Sequence, residues 1–242
     1  MARPVAITVM LVVSACDTEP TATPVPSPDP ITESEVPGAP TDSANTYMGR
    51  PLATTMSHLG ADWLARGNRD EEENTTLLHQ TLGLKPGDVA CDVGAGNGYH
   101  TLRMATAVGP GGKAIGVDLQ PEMLELLMQR AKAEGVSNVE TILAEPDDPK
   151  LPPDTCDLIL LVDVYHELSD PAAVLQRLSA ALTDRGRIAL LEYRAEDPEV
   201  PIKELHKMSK AQILTEYSAN GLRLASEFDG LPWQHLMFFV PK

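Results

Sequence analysis

The chain has 242 residues, 43% of them hydrophobic, and a net charge of −16. That excess of negative charge repels phosphate backbones and argues against nucleic acid as a substrate, while the length suits one sizeable core. Three cysteines, with no C-x-x-C pair and no Cys/His cluster, indicate neither a disulfide framework nor a zinc site.

Residues 1–16 carry a single charge, Arg3, and an apolar stretch, Val5–Val13, too short to span a bilayer as a helix. Val13-Ser14-Ala15-Cys16 resembles a bacterial lipoprotein signal. That resemblance implies lipidation of Cys16 and a lipid-anchored protein of the cell envelope. A mis-assigned start codon would generate a similar segment and leave the protein cytoplasmic. From Asp17 to Asn45 come prolines 20, 24, 26, 28, 30, 37 and 40, no lysine or arginine, and no apolar periodicity. Such a stretch cannot bury enough surface to fold and reads as an extended tether over 17–45. Removing the +1 of residues 1–16 and the −6 of residues 17–45 leaves −11 for the remainder.

A cap is expected over 46–74. Leu52, Met56, Leu59 and Trp63 fall on one face of a helix beginning after Pro51. Arg66, Arg69 and Glu71-Glu72-Glu73 then form a charged turn, read either as a lid over a ligand or as a solvated cluster. Tyr47 and Arg50 are candidates to line the pocket. A second helix is expected around Thr75–Leu82, opening a main domain over 75–242.

Val89-Ala90-Cys91 reads as a strand running into Asp92-Val93-Gly94-Ala95-Gly96-Asn97-Gly98 and then a helix. Three glycines at alternate positions allow a tight turn and close ligand approach, and the helix start aims free N–H groups at the same spot. The next apolar run, Ala114–Val117, ends at Asp118, whose carboxylate can accept both hydroxyls of a ribose. A dinucleotide fingerprint would need glycine at position 99, which is Tyr99.

D-x-G-x-G-x-G followed by an acid at the next strand end resembles motifs I and II of the class I S-adenosylmethionine-dependent methyltransferases. The resemblance covers roughly residues 75–242. It implies S-adenosyl-L-methionine as cofactor, held by Asp92, Gly94, Gly96, Gly98, Asp118 and Leu119. It also implies an α/β fold: a Rossmann-like, doubly wound, mostly parallel seven-stranded sheet with an N-terminal helical cap.

Pro121 opens a helix with stripe Met123, Leu124, Leu127, Met128 and Ala131, ending at Gly135. Val139–Leu143 reads as the third strand. Glu145 beyond it is the nearest match to the family's adenine-contacting acid, although Asp147 and Asp148 make a surface acidic loop an equal reading. Leu158–Val162 has the continuous apolar character of a strand buried on both faces. It ends at Asp163-Val164-Tyr165-His166-Glu167, placing Asp163 with the cofactor residues, because ligands sit outside the carboxyl ends of strands. A helix Pro171–Leu182, a turn Asp184–Arg187 and a strand Ile188–Tyr193 follow. Arg194–Met208 is a second candidate lid. Ser209 and Gln212 form a capping pattern for a helix ending at Gly221, and strands Arg223–Phe228 and His235–Val240 close the sheet. Tyr-His-Glu after the fourth strand and Glu-Tyr-Arg after the fifth resemble a bacterial group of methyltransferases of undefined substrate.

The acceptor is read as a small molecule. If its reacting group carries a proton, a base is required, with His166 first and Tyr165 and His206 behind it. Alternatively, His166 is a helix-start histidine bonded to backbone and Glu192 a plain strand-end acid. Two other readings are a surface-tethered protein that keeps the fold without transferring a methyl group, and a nicotinamide oxidoreductase, which Tyr99 opposes. Oligomeric state is left open.

Overall fold

In the computed structural model, the structure describes residues 45–242; the expected signal, Cys16 and nearly all of the tether lie outside them. The strands of the main sheet are β1 (Val89–Val93), β2 (Lys113–Asp118), β3 (Val139–Leu143), β4 (Cys156–Val162), β5 (Leu182–Arg194), β6 (Leu222–Phe228) and β7 (Gln234–Pro241). They lie in the order β3-β2-β1-β4-β5-β7-β6, and the two-residue strand Lys207–Met208 pairs with β5 as an eighth member. β1 through β5 run parallel, while β7 is antiparallel to both β5 and β6. The seven-stranded, mostly parallel expectation therefore describes the sheet, with one short strand added.

Period-two alternation divides the core. Cys91, Ile159 and Leu161 pack into one apolar cluster with helices α6 (Pro171–Ala181) and α7 (Lys210–Ala219). Ala90, Leu158 and Leu160 pack into the other, with α3 (Thr75–Leu82), α4 (Tyr99–Val108) and α5 (Pro121–Glu134). A strand covered on both faces needs apolar side chains at every position, which explains the uninterrupted run in β4.

Local chemistry sets the helix ends, at Pro121, Ser209 and Gly135 as expected. Pro121 and Pro171 occupy first-turn positions, Asp170 caps α6 by accepting from Ala173 N–H, and Ser209 caps α7 by accepting from Gln212 N–H. Gly135 closes α5 with φ 69°.

Three expectations fail. The helix predicted from Pro51 through Trp63 is reduced to a 3-10 turn, His58–Gly60, and a four-residue helix, α1 (Ala61–Leu64). Tertiary hydrogen bonds draw the preceding segment out: Ala53 N–H donates to His166 O, and Gln120 Nε2 donates to Met56 O while its Oε1 accepts from His58 N–H. Leu59, placed on the apolar face by periodicity, is 84% exposed.

The turn predicted at Asp184–Arg187 is absorbed into thirteen-residue β5. Pairing jumps from Cys156–Leu182 to Leu158–Arg187, so the extra residues form an irregularity rather than a break.

The third correction concerns the cysteines. Cys91 and Cys156 form a disulfide, Cα–Cα 6.0 Å, between adjacent strands β1 and β4 in the core. They lie 65 residues apart in sequence, so only sheet pairing brings them together.

Candidate functional site

The carboxyl ends of β1, β2, β4 and β5 form one edge, where the glycine turn sits. Gly94 and Gly96 have φ of 74° and 53°. A Cβ at Gly94 would collide with the Val164 side chain, and one at Gly96 would lie 2.6 Å from Leu64 Cδ1. Torsion favours glycine at both positions, and at Gly94 the branched Val164 side chain leaves no room for a Cβ as well. The N–H groups of Gly94 and Ala95 donate to Val117 O at 2.8 and 3.0 Å, locking the turn against β2.

Asp118 ends β2 and ties this loop to the next. Its Oδ2 accepts from Gly96 N–H at 2.8 Å and its Oδ1 from Gln120 N–H at 2.9 Å. A carboxylate has about four lone-pair sites, so acceptor capacity remains for a ligand hydroxyl. Burial raises the Asp118 carboxyl above its ordinary value, opposed by the N–H groups of Gln120, Gly96 and Leu119; the charge of Glu167 adds to the rise. Leu119, beside it, is partly exposed.

Asp92 is buried at the end of β1 and accepts from Thr101 Oγ1 of α4. Burial pushes its carboxyl up to about 6, against the Thr101 hydrogen bond. Asp163 follows β4 with φ 52°. Its Oδ2 accepts from Gln234 Nε2 at 3.4 Å, while the buried Oδ1 has no hydrogen-bond partner. Burial, then the charges of Glu73 and Glu192, raise this carboxyl well above the usual range. Gly98 contributes the α4 N-cap. Glu145 lies on an exposed turn, ion-paired with Lys150 at 2.6 Å, and its neighbour Ala144 donates its N–H to Asp118 O at 2.9 Å.

The cap closes directly on this edge. Asn97 Nδ2 donates to Ala61 O at 2.7 Å, and Leu64 rests on Gly96. Behind α1, the short helix α2 (Arg69–Glu73) carries a buried ion pair, Arg69 Nε to Glu73 Oε2 at 2.8 Å. Tyr193 Oη, from β5, donates to Glu73 Oε1 at 3.1 Å. The charged segment read from sequence as a turn is thus partly an internal clamp. Tyr47 Oη accepts from Asn220 Nδ2, and Arg50 forms paired bonds to Glu216 at 2.9 and 3.0 Å while its Nη1 donates to His166 O at 3.0 Å.

Of the three candidate bases, His166 and His206 meet and Tyr165 does not join them. Tyr165 is fully buried in the apolar cluster beside Tyr217, ring centroids 5.0 Å apart. His166 is buried, with Nδ1 2.7 Å from Glu192 Oε2 and Nε2 3.0 Å from His206 Nδ1. Burial disfavours a charged ring there, but the Glu192 and Glu167 carboxylates outweigh it and hold His166 at about 10. Glu192 also accepts from the His166 N–H, so both its oxygens serve one residue. Sequence reasoning left this partnership open, because residues 26 apart meet only through the sheet.

Comparison with known proteins agrees with this geometry. Residues 84–229 match a family model described as a methyltransferase domain. The chain is 30% identical over 129 residues to the uncharacterized methyltransferase YcgJ of Bacillus subtilis, covering 53% of this chain and 50% of that protein. It is 31% identical over 106 residues to the nocamycin O-methyltransferase of Saccharothrix syringae, covering 44% and 38% respectively. The chain thus spans half or less of the length of these relatives. The fold is also that of an Aquifex aeolicus SAM-dependent methyltransferase, with TM-score 0.72 and 23% identity over 76% of this chain and 98% of the other.

Proposed function

The chain belongs to the methyltransferase-domain family, and from that premise we propose that it transfers a methyl group from S-adenosyl-L-methionine to a small-molecule acceptor. The observation that carries this reading is the glycine turn joined through Gly96 N–H to Asp118 at the neighbouring strand end. The residues fit the cofactor. Gly94, Gly96 and Gly98 keep the turn free of side chains, Asp118 has acceptor capacity left for a ribose hydroxyl, and Leu119 offers apolar surface next to it. The orphaned Asp163 Oδ1 supplies a further polar atom without a protein partner at the end of β4. When bound, the sulfonium supplies an electrophilic methyl group.

The chain's own work is then positioning and exclusion of water. Holding two reactants in line can supply about 7–11 kcal/mol of a barrier. The cap, clamped by Asn97 to Ala61 O and by Glu73 to Tyr193, covers the turn and shields it from solvent. Glu192 fixes the His166 ring so that Nε2 faces His206. The small-molecule assignment draws support from the −16 charge and from likeness to the nocamycin O-methyltransferase.

Export and lipid anchoring through Cys16 form part of the same proposal. The Cys91–Cys156 disulfide supports it, because such bonds persist mainly in oxidising compartments. Mass spectrometry of the native N-terminus tests it: an acylated Cys16 is expected, and an intact Met1 would overturn it. Activity is tested with methyl-labelled S-adenosylmethionine and fractionated cell extracts. Label in a low-mass product is expected; label only in protein, or none in any fraction, would overturn small-molecule transfer.

A further inference from the structure

His166, Glu167 and His206 bring one ligand atom each to within 4.8 Å of the others. His166 Nε2 lies 3.0 Å from His206 Nδ1, and Glu167 Oε1 lies 3.7 and 3.8 Å from those two nitrogens. The residues come from two 3-10 turns, Tyr165–Glu167 after β4 and Glu204–His206 in the connection after β5. Two ring nitrogens at this separation are joined either by an N–H···N hydrogen bond or through a metal ion that both ligate.

The geometry points to a metal site: His166 Nε2, His206 Nδ1 and a Glu167 carboxylate oxygen form a three-ligand site for a divalent first-row cation of the zinc type. Such ions hold imidazole nitrogen and carboxylate oxygen at about 2.0–2.2 Å in tetrahedral geometry, which places neighbouring ligands about 3.3–3.6 Å apart. The nitrogen pair at 3.0 Å must open, and the Glu167 oxygen at 3.7 and 3.8 Å must close, each by a few tenths of an ångström. Two imidazoles and one carboxylate select zinc-like ions over magnesium or calcium, which prefer all-oxygen shells.

A supporting group completes the arrangement. Glu192, fully buried, takes the Nδ1 proton of His166 at 2.7 Å and leaves Nε2 as the ligand atom. A carboxylate–histidine pair of this kind orients a metal-binding imidazole and raises its basicity. His206 and Glu167 remain partly exposed, giving an ion an entry path from solvent. Three protein ligands leave a position for an exogenous oxygen or sulfur atom. A role for that position in holding the methyl acceptor rests on the methyl-transfer reading, whereas the metal site itself does not.

The test uses the full chain without a polyhistidine tag, stripped by chelator and titrated with zinc(II) by calorimetry. Cobalt(II), followed by its visible absorption, serves as a second probe. One ion per chain is expected. His206→Ala and Glu167→Gln should each weaken binding at least tenfold, with the metal-free melting temperature unchanged. Glu192→Gln should weaken it about 10–100-fold through the supporting bond. Absence of zinc binding by the wild-type chain would leave a plain hydrogen bond between the two rings and overturn the site. Wild-type affinity in His206→Ala would also overturn it, placing the ion elsewhere, for example at the His79–His100 pair. Neither outcome depends on whether S-adenosylmethionine binds.

Discussion

Leu64 of the cap closes on Gly96 of the turn so tightly that a single added Cβ at Gly96 would lie 2.6 Å from Leu64 Cδ1. Cap closure and the shape of the ligand turn are therefore one packing problem. Gly96→Ala meets both this contact and a φ of 53°, and should destabilise the protein by about 1–3 kcal/mol. Truncating the neighbour in Leu64→Ala/Gly96→Ala should recover part of that loss relative to the two single changes. A double-mutant cycle by denaturant unfolding measures it, and strict additivity would show that the two residues do not press on one another.

Asp92 gives a pH-dependent prediction. Its carboxyl is raised to about 6, so the folded state holds its proton more tightly than the unfolded chain. Stability conferred by the protonated form is lost as pH rises from about 4 through 6, then levels off. Asp92→Asn removes that loss. The variant should match the wild type below pH 4 and exceed it by about 2–3 kcal/mol at neutrality. Melting curves at several pH values read this directly, and a variant less stable at pH 7 would contradict it.

The Arg69–Glu73 clamp makes a second electrostatic prediction. Burial opposes ionisation of Glu73, but Arg69 and Arg66 outweigh it and hold its carboxyl below the usual value. The clamp's contribution is therefore complete above pH 4.5 and lost as pH falls through the lower folded value. Glu73→Gln leaves Arg69 buried without its counter-charge, a change that costs about 3–5 kcal/mol. Hydrogen exchange over residues 58–73 should accelerate in that variant. Unchanged protection there would mean that the cap is held by other contacts.

The Cys91–Cys156 bond joins neighbouring strands across 65 residues of sequence. Replacing both cysteines by alanine should lower stability by about 2–4 kcal/mol. Thiol titration of the unfolded, unreduced chain checks the bond itself. Free thiols at both positions in protein isolated without reductant would remove the structural support for export.

Much of the fold was legible because its signals are local. The glycine turn, the apolar runs ending in Asp118 and Asp163, and the cap Ser209 each occupy a few consecutive residues. The cap was misread because Gln120, far along the chain, competes for the backbone of residues 56–58 and wins against helical periodicity. The disulfide and the Glu192–His166–His206 chain were hidden for the same reason. Their members meet only after strands separated by a crossover helix lie side by side. Glu73 looked like one acid among several, and nothing in its sequence neighbourhood announces the Tyr193 hydroxyl that reaches it.

Calorimetry of the full chain with S-adenosylmethionine, its demethylated product and NAD tests the central claim most directly, run in parallel on Asp118→Ala and Asp118→Asn. The account predicts that both adenosyl compounds bind, that NAD does not compete, and that each Asp118 variant loses more than about tenfold in affinity while remaining folded. An absence of binding by either adenosyl compound, or undiminished affinity in folded Asp118 variants, would contradict it.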